Sequence, residues 1–194
     1  MEHSPFMNKD TLLPAIARAV ITKQLGITAT IPQTADHPWL NNPAATFVTL
    51  KLDGELRGCI GSLKARFSLM DDLQGNAIAA AFQDPRFSPL TKDELDRIQI
   101  EVSILSDPEK IEFVSETDLL TQLHPHIDGL IFNYGNYRST FLPQVWDQLP
   151  SPEQFLSHLK KKAGLASNFW SEEVLIYRYS VEKFSENDDA EYAL

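Results

Sequence analysis

The residues with the strongest claim to chemistry stand together at Leu56-Arg57-Gly58-Cys59-Ile60-Gly61. On a regular strand, alternate side chains point to opposite sides. Arg57, Cys59 and Gly61 then share one face, and Leu56, Gly58 and Ile60 the other. Arg57 and Cys59 stand one strand period apart, ~6–7 Å between Cα atoms. A guanidinium at that range favours a thiolate, which makes Cys59 the candidate catalytic residue, as nucleophile or acid/base group. The competing reading is a buried small hydrophobe, because free cysteine is among the residues most often buried. Gly58 and Gly61 weaken a strand; close approach by a ligand or by another element is what would retain them.

Asp84-Pro85-Arg86-Phe87 is the second cluster. Pro85 stiffens the chain between two opposite charges, which form either a loop-stabilising ion pair or a clamp for anions and carboxylates. The candidate substrate-binding residues are therefore Arg57, Gly58, Gly61, Asp84 and Arg86. They are expected to converge with Cys59 on one polar cleft. Two guanidiniums there would lower the Cys59 pKa below the ~8.5 of a free thiol unless desolvation outweighs them. His124-Pro125-His126 offers two imidazoles, but the proline restrains them and no third ligand lies nearby, so no metal site is assigned. Lys160-Lys161-Lys162 closes an amphipathic helix, where cations suit the dipole. The chain has no phosphate loop, dinucleotide fingerprint, nucleophile elbow or His-Glu-x-x-His.

The elements that must position these residues follow from periodicity and punctuation. Leu13, Ile16, Ala17, Val20 and Ile21 predict a helix over 10–25, with Gly26 after its last turn. Pro14 stands near the helix start, where its missing N–H would have no partner anyway. Residues 27–43, with three prolines, read as a long ordered loop. Residues 46–52, Asp53-Gly54 and residues 55–61 form a hairpin. Ser68 with Asp71 opens a second helix that stops before Pro85. Thr91 with Glu94 is a further capping box, and residues 98–104 alternate as a half-buried strand. Ser115 and Asp118 start a third helix. Residues 129–134 and 137–142 form a second hairpin about Gly135-Asn136. Ser151-Pro152 with Gln154 starts a fourth helix, and residues 174–181 are a last strand. Hairpins without strict βα alternation favour an α+β fold with antiparallel or mixed sheet.

The 194 residues fit one domain, and a 43% hydrophobic content suffices for a core. A net charge of −10 argues against a protein that grips nucleic acid by neutralising phosphates. Part of that charge, at Glu186, Asp188, Asp189 and Glu191, falls in a tail over 185–194 read as solvated. One cysteine excludes a disulfide framework and a cysteine-ligated cluster. No apolar run reaches the ~20 residues of a membrane helix and no signal pattern is evident, so the expected placement is cytoplasmic, with no membrane partner.

The hexapeptide and Asp84-Pro85-Arg86-Phe87, with Asp128-Gly129-Leu130-Ile131, Thr140-Phe141-Leu142-Pro143, Val145-Trp146 and Lys162-Ala163-Gly164-Leu165, resemble the AMME chromosomal region gene-one family. In bacteria and archaea it is also called AmmeMemoRadiSam system protein A. The resemblance covers 10–184, leaving 1–9 as an N-terminal extension. It implies a two-lobed α+β domain, a larger lobe with a sheet flanked by helices and a smaller lobe, with a cleft between. His126 stands where the resemblance places a glycine. For function it implies a small enzyme or enzyme component around the hexapeptide, or a non-catalytic module binding a peptide, partner protein or RNA there. It names no cofactor. The system name associates the family with a Memo-like protein and a radical S-adenosylmethionine protein. Any radical chemistry would belong to that partner, since this chain lacks the required cysteine triplet.

Overall fold

The computed structural model describes residues 8–186. Helix α1 (Lys9–Gln24) begins where Asn8 accepts the Thr11 N–H at 3.0 Å. Pro14 lies beyond the first four amides, so the helix gives up one bond near its first turn and buries the proline ring instead. The expected first hairpin is present: β1 (Pro43–Leu52) turns through Asp53-Gly54 into β2 (Glu55–Gly61), pairing Leu52 with Glu55 and Phe47 with Gly61. Both turn residues have positive φ, 53° and 88°, as a two-residue hairpin turn of this hand requires. Strand β3 (Phe67–Ser68) lies along the start of β1, and helix α2 (Leu69–Phe82) follows with the Ser68 hydroxyl accepting the Asp71 N–H.

After a 3-10 turn at Lys92–Glu94, β4 (Ile98–Leu105) pairs with β1 over eight residues. The first sheet has the order β2-β1-β4-β9, where β9 is Val181–Ser185. Helix α2 packs on β1 and β2, and α1 on β4 and α2. Val48, Leu50, Ile100 and Val102 on one sheet face meet Leu13, Ile16, Leu73 and Ala77 from the helices. The alternation that marked β4 as a strand buries Ile98, Ile100 and Val102, but it breaks at Ser103, which is buried, and Ile104, which is half-buried.

The second sheet has the order β5-β8-β6-β7, from β5 (Glu109–Lys110), β6 (Gly129–Tyr134), β7 (Tyr137–Phe141) and β8 (Leu175–Tyr179). Helices α3 (Glu116–Gln122) and α4 (Pro152–Lys162) start at Ser115 and Ser151 as expected, each hydroxyl accepting the amide three residues on. Its core centres on Trp146, stacked on Phe155 at 3.8 Å between centroids and donating through Nε1 to the Asp128 carbonyl. The fold is α+β, with four α-helices among the described residues. It divides into two compact units, one of residues up to Leu105 with those from Glu182, the other Ser106–Val181.

Two further expectations are corrected. The chain does not end its structure with the strand at 174–181, because β9 adds to the first sheet. Glu186, assigned to the solvated tail, holds Arg18 through Oε2 at 2.7 Å and accepts the Ile100 N–H at 2.9 Å. An acidic run reads as solvated in sequence, but one carboxylate in it met a half-buried guanidinium. Asp188, Asp189 and Glu191, and residues 1–7 of the extension, lie outside the described residues. Within the lysine run that closes α4, Lys160 is only 1% exposed, paired with Glu116 and 5.4 Å from the Trp170 ring, because α4 turns it inward. His126, in the glycine position, adopts φ 64°. No helix of the described residues is long and apolar enough to cross a membrane.

Candidate functional site

The β1–β2 ladder is not regular. Thr49 pairs with Cys59 and Leu50 with Gly58, but Lys51 then pairs with Leu56, so Arg57 is one residue extra and the strand bulges there. An extra residue breaks the alternation, which corrects the expectation that Arg57 and Cys59 share a face. Cys59 lies with Thr49, its Sγ 3.3 Å from the Thr49 hydroxyl. Arg57 runs instead to Glu94, Nε to Oε1 at 2.8 Å and Nη2 to Oε2 at 3.1 Å, with its side chain only 11% exposed.

Glu94 is engaged twice over. Its Oε2 also accepts the Thr91 N–H at 2.9 Å and the Thr91 hydroxyl at 3.0 Å, the capping box expected from sequence. The Arg57 hydrogen bonds first, and those of Thr91 next, hold the Glu94 pKa down to about 2 against the opposing effect of burial.

Asp84 and Arg86 do meet Cys59, through its backbone. Strand β2 is an edge of its sheet, and edge amides need partners. Asp84 Oδ2 accepts the Cys59 N–H at 2.9 Å, and Arg86 Nη2 donates to the Cys59 carbonyl at 3.3 Å. The two side chains thus do for Cys59 what a neighbouring strand would do. They are locked to each other by Arg86 Nε and Nη2 on the Asp84 oxygens, at 3.0 and 2.7 Å. Asp84 is 2% exposed and its carboxyl lies well below the usual carboxylate range, chiefly because of the Arg86 hydrogen bonds. Arg86 is 53% exposed, and Nη1 is left over by these bonds. Both guanidiniums lie beside the Phe87 ring, 5.9 Å from its centroid for Arg57 and 5.5 Å for Arg86.

For the thiol, the condition attached to its expected activation is not met, because desolvation outweighs the guanidinium. Burial pushes the Cys59 pKa up; the Thr49 hydrogen bond and the Arg86 charge oppose it without winning, while Asp84 and Glu101 add to the rise. Arg57 is spent on Glu94.

The two glycines are accounted for by the fold itself. A Cβ on Gly58 would fall 2.1 Å from the Ala80 carbonyl oxygen, so α2 lies on the strand where only hydrogen fits. A Cβ on Gly61 would fall 2.2 Å from the ring of Phe47, its partner across the ladder. The close approach foreseen for both comes from packing.

A buried network beside the end of β2 escaped the sequence reading. Asp72 Oδ2 accepts the Thr46 amide and hydroxyl at 2.8 and 2.7 Å, Asp72 Oδ1 accepts the Ser62 hydroxyl at 2.7 Å, and Asn76 Nδ2 donates to the Thr46 carbonyl at 3.1 Å. The available signal was Asp72 and Asn76 at i, i+4 inside the stripe of Leu69, Leu73, Ala77 and Ala80. Far from it in sequence, His124 faces Asp128 and Arg178 at 3.2 and 3.1 Å, while His126 faces Asp147 at 3.3 Å. The two imidazoles therefore have different partners. No three His, Cys, Asp or Glu side chains among the described residues are grouped to hold a metal ion.

Two antiparallel sheets built from hairpins and packed with helices make this an α+β protein, and known proteins match the chain. A family model described as AMMECR1 matches residues 14–184, and the chain belongs to that family. It is similar to Protein MJ0810 of Methanocaldococcus jannaschii, 39% identical over 188 residues covering 93% of this chain and 91% of that one. A Thermotoga maritima protein is 43% identical over 143 residues, covering 73% of this chain and 77% of its own. Among solved structures, uncharacterized protein PH0010 of Pyrococcus horikoshii matches with a TM-score of 0.82 and 33% identity, over 92% of this chain and 91% of that chain.

Proposed function

We propose that this chain is a non-catalytic binding module whose contact surface is the exposed guanidinium of Arg86 with the Phe87 ring beside it, recognising a carboxylate on a partner protein or peptide. The observation that carries the reading is the state of the signature residues. Cys59 has a thiol shifted away from ionisation, both of its backbone groups are occupied, and Gly58 and Gly61 are filled by the protein's own atoms. A nucleophile needs the reverse. Arg86 is held rigid by a buried carboxylate while keeping Nη1 for something outside, which is the arrangement of a preorganised anion contact. Net charge and the inward turn of Lys160 weigh against nucleic acid as the partner. Family association makes a Memo-like protein and a radical S-adenosylmethionine protein the first partners to try.

The test is complementation of a strain that needs the gene, with melting curves to show each variant folded. Cys59→Ser should support growth like the parent chain. Arg86→Lys, which keeps the charge but not the planar fork, should fail to do so and should weaken capture of a partner. Loss of growth with Cys59→Ser at an unchanged melting temperature would instead assign the site to thiol chemistry.

A further inference from the structure

A crevice of about 500 Å³ opens in the first unit, away from the signature residues, with Lys9, His37, Trp39, Asn42, Leu69 and Ile104 on its walls. Lys9 is the first residue of α1 and Leu69 the first of α2, so two helices of 16 and 14 residues begin there. Both point the positive end of their dipole at the space. Its third wall comes from the long loop expected over 27–43. Ile27, Ile31 and Trp39 of that loop pack on the core, and a 3-10 turn at Pro38–Asn41 sets Trp39 beside His37, ring centroids 5.7 Å apart. Connections of that length without extended regular structure are uncommon in compact domains unless they carry function.

The charge of the lining is opposite to that of the chain. Among the described residues, Lys9 is the only lysine or arginine on its walls and no carboxylate lines it, although the protein carries −10 overall. The Lys9 ammonium is 3.0 Å from Glu182 and 6.0 Å from the Trp39 ring centroid. Both members of that ion pair are exposed, 40% and 61%, so a competing carboxylate displaces Glu182 at little cost. Apolar walls at Pro43, Ala44, Leu69 and Ile104, a flat indole and a single cation suit a small monoanion with a planar apolar body. We propose that this crevice binds a small aromatic carboxylate, its ring against Trp39 and the apolar wall and its carboxylate on Lys9.

The test is titration calorimetry on the full chain with indole-3-acetate and 1-naphthoate, and with neutral indole-3-acetamide as the uncharged comparison. The acids should bind with Kd below about 1 mM and the amide about tenfold more weakly. Lys9→Gln should bring indole-3-acetate to the amide's affinity. Ala44→Leu, which fills the crevice without changing charge, should remove binding of all three. If Ala44→Leu does not fold, Trp39→Ala serves the same purpose. Arg86→Lys should bind like the parent chain, which keeps this result separate from the fate of the binding-module reading. No saturable binding of either acid in the millimolar range overturns the proposal, as do equal affinities for acid and amide or parent-like binding by Lys9→Gln.

Discussion

Replacing Gly58 by alanine asks whether the signature glycine serves the fold or a ligand. The added Cβ would stand 2.1 Å from the Ala80 carbonyl oxygen, and that oxygen is backbone, so no side-chain rotation relieves it. Carbon–oxygen contacts settle at roughly 3.3–3.6 Å, so β2 and α2 must part by roughly 1 Å. The separation loosens Ala77, Ala80 and Ala81 against the sheet, all 2% exposed or less. Overpacking of this kind costs about 3 kcal/mol, which for a chain of this length lowers Tm by about 6–12 °C. Gly75 supplies the control. It lies in the same helix with nothing within 4 Å of its would-be Cβ, so Gly75→Ala should stabilise by about 1 kcal/mol through helix propensity. Both variants are read by thermal melting and by urea unfolding at constant m. A Gly58→Ala chain that melts within about 2 °C of its parent would refute the packing account and return Gly58 to the ligand.

Thiol alkylation of Cys59 measured against pH should show an apparent pKa above the ~8.5 of a free thiol, because burial raises it. Arg86→Ala should raise it further by removing an opposing charge, while Arg57→Ala should leave it in place, and a thiol titrating below 8 would contradict the burial argument. Glu94 and Asp84 have carboxyl pKa values held down in the folded chain, so the unfolded chain binds more protons near pH 3 and stability must fall as the medium is acidified. The lowered Glu94 pKa contributes stability that is present above pH ~4.5 and lost as pH falls towards 2. Urea unfolding of Glu94→Gln should be lower in stability at pH 7 and flatter across that window; a slope like the parent's would be the contrary result. His126→Gly should stabilise by about 1 kcal/mol by relieving φ 64° at the loss of an exposed contact with Asp147, and His126→Val should destabilise by about 1–2 kcal/mol, both read in the same unfolding assay.

Local chemistry was legible in the sequence because it depends on neighbours a few residues away. Asp53-Gly54 specified its turn, Ser68, Ser115 and Ser151 specified helix starts, and the alternation from Ile98 to Val102 specified which residues of β4 meet the helices. The hexapeptide and Asp84-Pro85-Arg86-Phe87 could be recognised as a pair, and Cys59, Asp84 and Arg86 do meet. What the residues do to one another was set only in three dimensions. A single extra residue at Arg57 reverses the face of everything before it in β2, and nothing within the strand's own sequence announces a register shift that the partner strand imposes. Arg57 was available to Cys59 on paper and went to Glu94, 37 positions away, because the bulge turned it there. The sign of the Cys59 shift likewise waited on the fold, since the charge that lowers a pKa is visible in a sequence and the burial that raises it is not. Gly58 shows the same division: its composition demanded a close neighbour, and only the packing of α2 decided that the neighbour is the Ala80 carbonyl.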